Sequence, residues 1–415
     1  MIPIRAPEPS TAGVLKPTQG DGPRPELELL LCCARTRLDV VRSERVRALI
    51  GGGIDWERLL RMAGQHGLTP LLHRHLGAPG TDVCPPAIMD RLRVNFAENT
   101  RRNLFMTGEL LKVLARARER GLSLIAYKGP ALTLMAYGHL GLREFSDLDV
   151  LVHPEGVAQL GEILGSQGYE PAVWPGDARW SVYRRVESTL PFHRRAPDAT
   201  IEVHWRLTPR YFRFPRDPRS VWGDLASVAM SSQQITTFSP ETTLLFLAVH
   251  GAKHHWSRLG WICDLLCLIE NAPPLDWEKV LRHASEEHCR RMLFIGLLLA
   301  KNLLGAAIPG GVDERMREDQ VASRLAAAIH QRFLKSPDYQ DRSIARGLFL
   351  LRCWDRFRDR VRCGVNLALS PNEGDLMALS LPAPLAPLYC LVRPVRLVGR
   401  YGFRLFRRPD RGNSE

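Results

Sequence analysis

Two aspartates stand two residues apart in Arg143-Glu-Phe-Ser-Asp147-Leu-Asp149-Val-Leu-Val152. The apolar alternation from Leu148 to Val152 predicts a strand, on which both carboxylates share one face and Leu148, Val150 and Val152 fill the other. Carboxylates held side by side repel each other unless one is protonated or a cation lies between them. Such hard oxygen ligands suit Mg2+, which keeps several waters and takes one or two protein carboxylates together with substrate phosphates. A third acid lies in Ile201-Glu202-Val-His204-Trp205, a second expected strand whose Ile201, Val203 and Trp205 form its apolar face. Glu202 can bring its carboxylate to the same site, and His204 shares its face. An Asp-x-Asp pair by itself is weak evidence, because turns and edge strands also carry such acids.

The elements that must position these acids add specificity. Leu122 to Tyr127 is a short apolar run after Gly121 and reads as a buried strand. Lys128-Gly129-Pro130 is then a turn, with Pro130 suited to the first position of a helix running to about Gly138. A strand that feeds a helix through a glycine turn aims backbone N–H groups at whatever sits above it, which favours phosphate. Lys128 and Arg143 add charge there, Lys as a point charge and Arg as a planar fork. A second helix is expected over Pro154 to Gly168, and further strands over Thr189–Arg194 and Thr200–Leu207. The order of strand, glycine turn, helix, Asp-x-Asp strand and later acidic strand is more specific than any member alone.

That order resembles the polymerase-β-like nucleotidyltransferase superfamily, and within it the uncharacterised nucleotidyltransferases. The matching residues are Tyr127-Lys-Gly-Pro130, Tyr137, Arg143, Ser146-Asp-Leu-Asp-Val150, Gly168-Tyr169 and Glu202-Val-His-Trp205. Weaker matches are His250-Gly-Ala-Lys253-His254, Trp261 to Asp264, Leu381-Pro382 and Val392-Arg-Pro-Val-Arg396. The likeness spans roughly residues 30–400 and is strongest over 125–205. It implies transfer of a nucleoside monophosphate from an NTP to an acceptor, with pyrophosphate released. Asp147, Asp149 and Glu202 would hold two Mg2+ ions, and Glu202 would assist deprotonation of the acceptor. Gly129 would make the triphosphate turn. Lys253 and His254 would face the cleft with Lys128 and Arg143 to contact phosphate or acceptor. The implied acceptor is a small molecule or a peptide. The superfamily's turn usually has Ser or Gly after the glycine, whereas Pro130 removes one N–H and one hydroxyl from the cradle. A catalytically inactive NTP-binding or scaffold protein of the same fold is therefore the alternative. A transferase acting on nucleic acid or protein is a further one.

Other constellations have plainer readings. His250 and His254 share a helix face near Cys263 and Cys267, a conceivable zinc set, but the stretch lacks the glutamate of the metalloprotease helix. More often such residues are satisfied helix-packing groups. Trp205, Trp256 and Trp261 read as core or interface residues before base-stacking ones, and His193 either flanks the acids or is a hydrogen-bonded strand residue.

The whole chain sets the frame. It has 415 residues, enough for two or three domains, with 45% apolar and 24% charged residues, which excludes wholesale disorder. Fifty-seven Lys and Arg face 44 Asp and Glu, a formal net charge of +13. That charge suits a phosphate-rich partner and says nothing about fold. Nucleic acid is a possible but unfavoured partner. Nine cysteines without a CxxC pair read as reduced thiols of a cytoplasmic protein. No apolar run reaches the roughly 20 residues of a membrane span.

The expected organisation is a proline-rich disordered leader (1–25), a helical N-terminal region (26–120) and a nucleotidyltransferase α/β core (121–238). A helical C-terminal domain (239–385) and a basic amphipathic tail (386–415) follow. Seven arginines between Arg393 and Arg411 allow the tail weak contact with an anionic membrane surface. The fold class is α+β, a small mixed-sheet core flanked by helical regions at both ends.

Overall fold

The protein is described from a computed structural model, which covers residues 24–78, 84–175, 180–209, 212, 214–335, 344–370 and 388–396, with 375, 379 and 385 besides. Residues 1–23 of the expected leader and 397–415 of the basic tail lie outside the described residues. So does the weak match at Leu381-Pro382.

Helix boundaries follow local chemistry. The chain opens with α1 (Pro25–Cys33), α2 (Val40–Gly51), α3 (Trp56–His66), α4 (Thr69–Leu76) and the long α5 (Pro86–Glu119). Asp39 and Asp55 cap α2 and α3 by accepting the Arg42 and Arg58 amides, at 2.7 and 3.0 Å. At 34 residues α5 is about 50 Å long, enough to serve two layers of the molecule. Its first half packs on α4, and its second half carries Met106, Leu110, Val113 and Ala117 into the core beneath the sheet.

The α/β portion runs β1 (Leu124–Ala126), α6 (Gly129–Tyr137), β2 (Leu148–Val152), α7 (Val157–Ser166), β3 (Glu170–Pro171), α8 (Trp180–Val186), β4 (Thr189–Arg195) and β5 (Asp198–His204). The five strands make one mixed sheet in the order β1-β2-β5-β4-β3. Only β2 and β5 are parallel; the other neighbours run antiparallel. A separate hairpin of β6 (Leu225–Met230) and β7 (Gln233–Phe238) follows. It turns through Ser231 and Ser232, with Ser231 at φ 56°. That turn lacks the Asn-Gly or Asp-Gly pair that marks tight hairpins, so the sequence signals it weakly.

The C-terminal half is helical: α9 (Pro240–Lys253), α10 (Leu259–Asn271), α11 (Trp277–Glu286), α12 (Arg290–Leu304), α13 (Gly310–Glu318), α14 (Gln320–Lys335), α15 (Ile344–Arg352) and α16 (Phe357–Leu369). Ser239 starts α9 by accepting the Thr242 amide at 3.1 Å, with Pro240 at the first helical position. Among the described residues no helix is long and apolar enough to cross a membrane.

Two apolar cores meet at the sheet. One gathers α5, α7 and the sheet face bearing Leu148, Val150, Val152, Ile201 and Val203. The other joins the N-terminal helices to α9, α10, α12 and α14, and reaches the sheet through Ile125, Tyr127 and Leu151. The architecture is thus an α+β fold, a small mixed sheet with helices on either side of it in sequence.

Candidate functional site: the carboxylate pair of β2 and β5

Strand pairing decides the site. In the parallel ladder Asp149 lies opposite Glu202 and Leu151 opposite His204. Side chains on one rung stand on one face, so Asp149, Glu202 and His204 converge away from the α5–α7 core. The Asp149 side chain is 2% exposed and that of Glu202 31%. Their ligand atoms and a His204 ring nitrogen all lie within 4.8 Å of one another.

The protein supplies its own cations to this pair. Lys128 Nζ donates to Asp149 Oδ1 at 2.7 Å. His204 Nε2 lies 3.1 Å from the same oxygen and 3.2 Å from Glu202 Oε2. Burial opposes the ionisation of Asp149, yet Lys128 and His204 hold its carboxyl well below the usual range. Glu202 is lowered by its hydrogen bond to His204, against the opposing effects of burial and Asp149. Burial works against the charged forms of Lys128 and His204, and the carboxylates raise both above their ordinary values.

Asp147 precedes β2 and stands outside this donor set, not on the strand beside Asp149 as the alternation suggested. Burial, then Asp149 and Glu202, push its carboxyl up. Its backbone has another contact: a Cβ on Gly129 would lie 3.4 Å from the Asp147 carbonyl oxygen. Gly129 has φ +48°, in the left-handed region where a side chain is strained. The backbone conformation makes glycine the fitting residue where Lys128 caps α6.

Arg143 is placed by a different partner. Its Nε and Nη2 donate to Asp264 Oδ1 and Oδ2 on α10 at 2.8 and 3.0 Å, and Tyr137 Oη donates to Oδ1 at 2.7 Å. Asn103 of α5 anchors the loop by donating to the carbonyls of Leu140 and Arg143 at 2.7 and 2.8 Å. The Arg143 guanidinium is therefore committed on one edge to a buried carboxylate, while its Nη1 is buried without a hydrogen-bond partner. Asp264 was legible only as part of a weak family match. Its role depends on a contact 121 residues away in sequence.

Lys253 ends α9 and His254 caps it. One turn earlier, His250 has its basicity pushed well down by burial and then by Lys128, His254, Lys253 and Arg143. His250 thus lies within electrostatic reach of Lys128, His254, Lys253 and Arg143. His250 and His254 pack with ring centroids 4.6 Å apart, and both abut Trp261 at 5.3 and 5.2 Å. Cys263 Sγ meets Cys267 Sγ at 3.7 Å and Ala34 O at 3.3 Å. Among the described residues the zinc set does not assemble, and Asp149, Glu202 and His204 are the group with metal-ligand geometry. Trp205 and Trp256 are buried core residues, and His193 bonds Thr200 Oγ1 at 3.0 Å on the neighbouring strand.

The donor chemistry fits a divalent cation. Two carboxylates and an imidazole converge within 4.8 Å, with the buried Tyr127 beside them.

A family model described as uncharacterised nucleotidyltransferase matches residues 52–305, more than half of the chain. The chain belongs to that family. Within this nucleotidyltransferase family the match covers the sheet, the carboxylate pair and helices α9 to α12. Among solved structures, an antigenic nucleotidyltransferase-like protein from Paracoccidioides brasiliensis is similar at 17% identity and a TM-score of 0.32. The overlap covers 50% of this chain and 97% of that one. No curated protein matches.

Proposed function

We propose that the protein is a metal-dependent nucleotidyltransferase that moves a nucleoside monophosphate from an NTP to a small-molecule or peptide acceptor and releases pyrophosphate. The observation that carries this reading is the Asp149–Glu202 rung, with a His204 ring nitrogen within 4.8 Å of both carboxylates and Lys128 on Asp149. When bound, a pair of Mg2+ ions would neutralise the attacking and leaving oxygens of an in-line displacement. Asp149 and Glu202 would hold the metal, with Asp147 as the additional carboxylate beside them. The Lys128 ammonium, now on Asp149, would be free to meet phosphate once another cation takes that oxygen. The unpartnered Nη1 of Arg143 offers a second donor, from a guanidinium oriented by Asp264. Such transfer depends on positioning and charge stabilisation, so no covalent protein nucleophile is needed.

A second reading has its own support. Lys128 and His204 already neutralise the carboxylates, and Pro130 lacks an amide at the phosphate turn, as in a protein that binds NTP without turnover. One experiment separates the two: thermal unfolding with each of the four NTPs, with and without Mg2+, alongside pyrophosphate release. A ligand at 100 times its dissociation constant adds about 2.7 kcal/mol. The transferase reading expects a Mg2+-dependent shift that is lost in Glu202→Gln, together with pyrophosphate release. A shift without release favours the inactive protein, and no shift with any NTP overturns both.

A further inference from the structure

A sizeable cavity lies apart from the carboxylate site. It has a volume of about 850 Å³ and opens where β2 and β5 end, lined by Leu151 and His153 on one strand exit and Trp205 and Arg206 on the other. That volume falls within the range of small-molecule sites. Its wall begins two residues beyond Asp149 along β2, at the rung that Leu151 shares with His204.

Four arginines line it: Arg206, Arg216, Arg219 and Arg362. Two are fixed in place. Arg206 Nη2 donates to the carbonyls of Glu187 and Arg184. Arg216 Nη1 donates to Glu286 O at 3.1 Å and meets His288 Nε2 at 2.9 Å. The Arg219 and Arg362 guanidinium groups have no hydrogen-bond or ion-pair partner among the described residues. Glu155 and Asp217 are the opposing carboxylates, so positive charge dominates the wall. At the rim His153 stacks on Trp222, with centroids 3.8 Å apart and planes 16° from parallel. Guanidinium forks match phosphate oxygens in geometry and charge, and the Arg219 and Arg362 forks have all their donors available for them.

We infer that this cavity is a binding site for a small phosphate-bearing molecule, distinct from the carboxylate pair and requiring no metal. The inference does not rest on the transferase reading, because the arginines act without Asp149 or Glu202.

The test uses the full chain, with inorganic pyrophosphate as the probe, titrated by calorimetry in EDTA. Binding should be saturable in the wild type, persist in Lys128→Met, and weaken at least about tenfold in Arg219→Ala/Arg362→Ala. Both of these arginines are exposed, and the double variant should melt at the wild-type temperature. Absence of saturable binding, equal binding in the double variant, or loss in Lys128→Met with retention in the double variant would each overturn the site. Citrate separates phosphate recognition from plain charge: binding as tight as that of pyrophosphate would refute the phosphate assignment. Because neither metal nor NTP is present, this result is independent of whether transfer occurs.

Discussion

Asp149 is the residue on which most of the site's charge converges. It faces Glu202 across the ladder and accepts from both Lys128 and His204. Asp149→Asn would remove a metal ligand and also leave Lys128 and His204 short of counter-charge. We expect transfer to be abolished and stability to fall by about 1–3 kcal/mol, measured by denaturant unfolding. Glu202→Gln removes a more exposed carboxylate, so it should abolish transfer with a smaller loss of stability. Retained transfer in both variants would sink the metal reading. Arg143 gives the opposite pattern. Arg143→Ala would strand the buried Asp264, costing about 3–5 kcal/mol as for a broken buried pair. A melting temperature unchanged in that variant would contradict the structural half of its role.

At the scale of elements, the termini of α6 and α9 are sensitive. Gly129→Ala keeps space for a methyl group, with the nearest atom 3.4 Å away, but must hold φ +48°. It should cost about 1–2 kcal/mol, and NTP binding would weaken if the turn shifts. At the end of α9, a Cβ on Gly251 would lie 2.4 Å from the ring of Trp256, which is fully buried and cannot swing away. Gly251→Ala should therefore destabilise by about 1–3 kcal/mol through overpacking, read by thermal unfolding.

The start of α9 makes stability depend on pH. Asp224 accepts from Lys279 at 2.7 Å and from the hydroxyls of Ser239 and Thr242 at 2.6 and 2.7 Å. Burial opposes its charge, but these donors hold its carboxyl below the ordinary value. A depressed native pKa adds stability above the unfolded value of about 3.9, which is lost as pH falls through the native one. Asp224→Asn should flatten the acid limb of the stability curve in that window. An identical acid limb in the variant would refute the assignment.

The whole molecule joins two cores through one thin sheet, so β2 must be buried on both faces. Asp149 stands on the face toward the helical half, and that half brings Asp264 to Arg143 from 121 residues away in sequence. Seven of the nine thiols are buried and two are half-buried, Cys32 and Cys390. Native alkylation at neutral pH should label these two first, with Cys32 slow because burial and Glu28 push its thiol up to about 11. Rapid labelling of Cys263 or Cys267 would mean that the α10 core is open.

What the sequence determined by itself is what short-range physics controls. Alternation placed β2 at Leu148–Val152, and a glycine turn with proline placed the start of α6. The acidic pair Asp149 and Glu202 was also legible, because strands read as strands put those residues on predictable faces. Tertiary structure alone decided the rest. The parallel register aligned Asp149 with Glu202 and brought in His204, while Asp147 fell off the strand. The β6–β7 hairpin formed through a Ser-Ser turn with no strong local signal. Lys128 and Arg143 read as free phosphate ligands in sequence, since periodicity reports a face but not a partner. In the fold each faces a buried carboxylate, and a buried charge takes the nearest opposite one.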